Sequence, residues 1–156
     1  LHEALLNSYR ILPPRIYDFK KMMYTPGYAG EDFLNMDPYF ISDKKKKEGI
    51  CLSVKGLSNG AVAVLYPGVI KKLVEFMDGG FYVVFSSVHE ALIYSSKLCS
   101  LEELENLLRT SNARMTFQKE FLTDKVYYYC KEEDKFIMLR GSMKMLVTTI
   151  RMDEEN

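Results

Sequence analysis

Apolar residues recur along this chain at two spacings, and each change of spacing marks the edge of an element. Val69, Ile70, Leu73, Val74 and Met77 share one side of a 3.6-residue repeat, which predicts a helix over 68–77 with that stripe buried. Pro67 suits a first helical turn, where the amide it lacks would be unpaired, and Asp78-Gly79-Gly80 ends the helix. Ser100-Leu-Glu-Glu103 reads as a capping box opening a second helix over 101–112, with Leu101, Leu104, Leu107 and Leu108 on one face. Continuous or alternating apolar runs at 50–54, 61–66, 81–85, 89–94, 126–130, 136–139 and 143–150 predict strands. Asn59-Gly60 between the first two runs has the residues of a tight turn, so 50–54 and 61–66 are expected to form a hairpin.

The first 49 residues are less regular. Leu1, Leu5 and Leu6 form one apolar face; Ile16, Phe19 and Met23 form another at helical spacing. Two short helices broken at Pro13-Pro14 are expected, the second over 14–24. Residues 25–49, with Pro26-Gly27, Gly30, Asp37-Pro38 and four adjacent lysines at 44–47, read as a connector whose lysines lie in a solvated loop between Asp43 and Glu48. The expectation is one α+β domain with a mainly antiparallel sheet, because most strands are joined by short turns. Residues 1–49 supply helices and connector, and 50–156 the core. The chain opens on Leu1 inside a helix-like pattern, which suggests a piece of a longer protein.

Composition narrows the function classes. The chain is 47% apolar and 27% charged, and its 156 residues suffice to bury a core. Lys plus Arg equals Asp plus Glu, 21 each, so no overall field would gather nucleic acid or an anionic membrane. There is neither a signal-peptide pattern nor an apolar run long enough to span a bilayer. Three cysteines, Cys51, Cys99 and Cys130, without framework spacing read as free thiols in a reducing cytoplasm.

Four motif-like stretches bear on chemistry. Gly56-Leu-Ser58-Asn-Gly60 has the letters of a nucleophile elbow, but a strand rather than a helix is expected after it, and Asn59-Gly60 explains the spacing as turn chemistry. His2-Glu-Ala-Leu-Leu and His89-Glu-Ala-Leu-Ile begin like a zinc-protease helix yet carry an aliphatic residue where the second histidine would stand. No metal set and no cofactor loop is legible, so no cofactor is expected. Tyr127-Tyr128-Tyr129 with Lys125 and Lys131 would alternate faces in a strand and is followed by acids, so sheet packing outweighs nucleic-acid stacking. Ser86-Ser87-Val88-His89-Glu90 is the local cluster of hydroxyl, imidazole and carboxylate. Ser87 and His89 would share a strand face and Glu90 would not, which leaves a serine–histidine pair or a hydrogen-bonded turn. A site is expected where Tyr66-Pro67-Gly68 leaves its strand and 86–90 turns, with Tyr66, Gly68, Ser86, Ser87, His89 and Glu90 as binding residues and no catalytic residue assigned.

Leu12-Pro13-Pro14-Arg15-Ile16, Asn59-Gly60-Ala61, Leu65-Tyr66-Pro67-Gly68-Val69, Ser86-Ser87-Val88-His89-Glu90 and Leu122-Thr123-Asp124-Lys125-Val126-Tyr127 occur in an order that resembles the C-terminal part of an uncharacterised bacterial family, a domain of unknown function. The family is found in anaerobic gut-type bacteria and their mobile elements. The resemblance spans about residues 10–130 and implies a bacterial cytoplasmic protein; it implies no activity. The functional expectation is a non-enzymatic protein-binding or regulatory module, with another protein as partner. The alternative is a small hydrolase or transferase using Ser87 and His89.

Overall fold

The computed structural model describes residues 1–112, 123, 125–140 and 143–145. Its frame is one antiparallel sheet in the order β2-β1-β3-β5-β4-β6-β7-β8. The strands are β1 Pro14–Tyr17, β2 Glu31–Asp32, β3 Ile50–Val54, β4 Phe81–Val84, β5 Ala91–Ser95, β6 Val126–Cys130, β7 Lys135–Arg140 and β8 Met143–Met145. Helices α1 His2–Ile11, α2 Phe19–Tyr24, α3 Asp43–Glu48, α4 Val69–Met77 and α5 Leu101–Asn112 pack around it or cap its ends. This is the α+β class with an antiparallel sheet that the apolar spacing predicts.

Strand alternation sends side chains to two cores. Ile16, Ile50, Leu52, Val54, Phe81, Val83, Ala91, Ile93 and Tyr129 meet Val69, Leu73, Phe76 and Met77 of α4 on one face. Val84, Tyr94 and Val126 meet Leu104 and Leu108 of α5 on the other, while Leu107 of the predicted stripe is 47% exposed. Covered on both faces, β3 buries all five of its residues. The capping box forms as read: the Ser100 amide donates to the Glu103 carboxylate at 2.8 Å, and the Glu103 amide to the Ser100 hydroxyl at 3.2 Å.

Three expectations are corrected. Residues 14–24 are not one helix. Pro14–Tyr17 pairs with β3, Ile16 opposite Leu52, and the helix starts only after Asp18, whose carboxylate accepts from the Lys20 and Lys21 amides. Proline is tolerated at the first residue of a strand, and a run this short fits either period.

Residues 61–66 are not a strand. Gly60–Leu65 winds as a 3-10 helix that leaves Val62 exposed and Leu65 half-buried, the three-residue repeat of that helix. The partners of β3 are therefore β1 and β5 rather than 61–66. The third correction is the lysine run, which forms α3 under a Ser42 N-cap. Its lysines are solvated as expected, apart from Lys46. Within the predicted connector also lie β2 and a 3-10 turn at Pro38–Phe40. The predicted strand 143–150 is seen over 143–145; the remainder lies outside the described residues.

Candidate functional site

At the end of β3 the chain makes a tight, strained loop. Leu57 and Asn59 take positive φ, 61° and 54°, which a leucine adopts only at a cost of about 1–2 kcal/mol. The loop is held from both sides. The Tyr17 hydroxyl donates to the Val54 carbonyl at 2.9 Å and accepts the Gly56 amide at 3.3 Å. Opposite lies the connection between β4 and β5, residues 85–90, which is a loop, so the strand alternation expected for 86–90 does not apply.

Within that connection the polar groups join loop to loop. The Ser53 hydroxyl donates to the His89 carbonyl at 2.5 Å, the Asn59 amide to His89 Nδ1 at 3.1 Å, and the Ala61 amide to the Val88 carbonyl at 3.1 Å. The Nδ1 side of the imidazole is thus turned toward the loop backbone. Ser87 Oγ accepts the amide of His89 at 3.0 Å, closing a hydroxyl turn, and Ser86 Oγ donates to Glu90 Oε1 at 3.0 Å. A Cβ on Gly60 would collide with the Ser53 hydroxyl and lie 2.7 Å from both the His89 carbonyl and the Val54 amide, so only glycine fits between the loops.

Of the predicted residues, Ser86, Ser87, His89 and Glu90 are brought together, half-buried. Tyr66 is buried in the core, where its ring meets Tyr9 edge-on at 6.3 Å and its hydroxyl meets Ser8 of α1; burial raises its pKa. Gly68 sits at φ 79° at the head of α4 with open space around it. The expected site is thus divided between separate sets of neighbours. Burial, and then the Glu90 carboxylate, push the Cys51 thiol up to about 12.

Ser53 and Tyr17 are the supports that sequence reading missed. Each looks like any strand residue, and only the register of β1, β3 and β5 brings them beside the loops. Among the described residues no group of three His, Cys, Asp or Glu side chains is placed to hold a metal ion. Among them too, no helix is long and apolar enough to cross a membrane.

Residues 1–131, spanning α1 to β6 and both loops of the candidate site, match a family described as a family of unknown function, DUF5688. The chain belongs to the DUF5688 family. The match takes in every residue of the candidate site and all five α-helices among the described residues, so the two-loop clasp lies wholly within the family region. No curated protein and no solved structure matches the chain.

Proposed function

We propose that this DUF5688 domain is a non-enzymatic protein-binding or regulatory module of a bacterial cytoplasmic protein associated with mobile elements. The observation that carries the reading is how residues 85–90 use their polar groups. Ser87 takes the amide of His89, and the His89 imidazole takes the amide of Asn59. The hydroxyl and imidazole each fix loop geometry through these bonds, whereas a nucleophile–base pair would need Ser87 to donate to the ring. Loops fixed on a sheet are where binding residues concentrate.

The test pairs two measurements on wild type and a Ser87→Ala/His89→Ala variant verified as folded by its melting curve. A panel of activated acyl and phosphoryl esters is expected to show no turnover by wild type above the variant. Crosslinking in the native cell followed by mass spectrometry is expected to return a specific stoichiometric partner for wild type. Turnover lost in the folded variant would replace this reading with a hydrolase. Absence of any specific partner for wild type would remove the binding function.

A further inference from the structure

Asn59-Gly60 is a reactive pair as well as a bend in the chain. In an open chain the Gly60 amide nitrogen attacks Cγ of Asn59, unhindered because glycine carries no side chain. A bond forms between that nitrogen and Cγ and closes a five-membered succinimide. The carboxamide C–N bond breaks, and ammonia leaves with the proton that the Gly60 amide gives up. Water then opens the ring at one of its two carbonyls, which leaves aspartate or isoaspartate. Nothing is oxidised or reduced, and water is the co-reactant. In isoaspartate the main chain runs through the former side-chain carbon and is one methylene longer.

The fold forbids the first step. Ring closure needs the Gly60 nitrogen beside Cβ of Asn59 across the Cα–C bond. Asn59 stands at φ 54° and ψ 32°, so the Gly60 nitrogen nearly eclipses the amide nitrogen of Asn59 itself and lies away from Cβ. The side chain is not the obstacle, since Asn59 is exposed and makes no capping hydrogen bond. The backbone is. Turning ψ to the reactive value swings Gly60 out of the 3-10 helix, and the chain is tied on both sides of it. The Asn59 amide donates to His89 Nδ1 at 3.1 Å, and the Ala61 amide to the Val88 carbonyl at 3.1 Å. Gly60 itself is buried between the loops, where a carbon added to it meets Ser53, His89 and Val54 atoms within 2.7 Å. The clasp must open before the ring can close. Such an opening is local and costs less than unfolding the sheet.

We infer that Asn59 is a conformation-gated deamidation site: inert while the two loops are clasped, modified when they part, and a latch that keeps them apart once isoaspartate has formed. The added methylene falls between the Asn59 amide, which His89 holds, and Gly60, beside which there is no room for another carbon. A reversible opening of the loops thereby becomes a lasting one. The inference stands on loop geometry and does not depend on the binding function proposed above.

The experiment ages the folded chain and a synthetic peptide of residues 54–64 side by side at mildly alkaline pH, and follows Asn59 by peptide mapping with mass spectrometry. Deamidation is expected to run about tenfold or more slowly in the folded chain than in the peptide. His89→Ala removes the acceptor of the Asn59 amide and is expected to age about threefold or more faster than wild type while keeping a cooperative melting curve. The aged protein is then resolved by ion exchange, since each product carries a new carboxylate. Its isoaspartyl form is expected to lose hydrogen-exchange protection at the Ala61 amide while the β4 amides keep theirs. Wild type that deamidates at the peptide's rate overturns the gate, and so does a folded His89→Ala that ages no faster than wild type. If His89→Ala does not fold, the comparison of wild type with the peptide decides the gate by itself. Aspartate as the sole product, or an isoaspartyl form whose Ala61 amide stays protected, overturns the latch.

Discussion

Single atoms decide the geometry where β3 meets the connection between β4 and β5. Gly60→Ala is expected to destabilise by about 1–3 kcal/mol in urea unfolding, the range for forcing an added carbon into packed surroundings. Combining it with Ser53→Ala should recover only part of the loss, since the His89 carbonyl and Val54 amide still lie 2.7 Å from the new carbon. Cys51 offers a second check. With its thiol pushed up to about 12 and its side chain 1% exposed, it is expected to resist alkylation at pH 8 in the native protein and to react fully in denaturant. Half-buried Cys130 serves as the internal comparison. At this scale the sequence was partly legible. Asn59-Gly60 marked a change of direction but not the expected hairpin, since of the two Asn59 alone takes positive φ and Gly60 opens the 3-10 helix. Ser86, Ser87, His89 and Glu90 do lie in one short loop. What Ser53, Tyr17 and Gly60 do was not legible, because their neighbours come from strands distant in the chain.

Among the elements, α4 is the most legible. Its stripe packs as the spacing predicts, and Leu73 is fully buried. Leu73→Ala is expected to lower stability by about 2–5 kcal/mol in denaturant titration. The N-terminal elements were misread for an identifiable reason: Ile16, Phe19 and Met23 sit at helical spacing, yet Ile16 belongs to a strand and the other two face water. Helix periodicity reports which residues share a side, not whether anything covers that side. The pair that pins α2 gives a pH test. The Lys45 ammonium, then the Lys21 amide, lower the Asp18 pKa to about 2, below its unfolded value near 4. A lowered carboxylate contributes stability that is present above pH 4 and is lost as pH falls toward 2. Asp18→Asn keeps the helix cap and removes the charge, so it is expected to cost about 1 kcal/mol at neutral pH, because Lys45 is largely exposed. That difference from wild type should shrink as pH falls below 4 and close only below pH 2, in melts followed by circular dichroism.

For the whole molecule, two cores share one sheet, so α4 and α5 are expected to melt together. Leu104→Ala in α5, at a position 1% exposed, should shift the midpoints of far-ultraviolet dichroism and tyrosine fluorescence by the same amount. Separate midpoints would mean that the two faces unfold independently. The fold class was legible because short turns between apolar runs leave antiparallel pairing as the economical arrangement. The strand order was not, because apolar spacing identifies strands without saying which ones are adjacent. That order has a consequence for how the chain is made. Strand β3 is the hub, yet one neighbour precedes it across the 18–49 connection and the other follows only after the 3-10 helix, α4 and β4. Closing such distant pairs before any reward arrives slows folding. During synthesis β3 emerges with one edge able to pair back with β1 and the other bare until β5 leaves the ribosome. In that interval an apolar run, Ile50-Cys51-Leu52-Ser53-Val54, presents an open hydrogen-bonding edge to any other chain nearby.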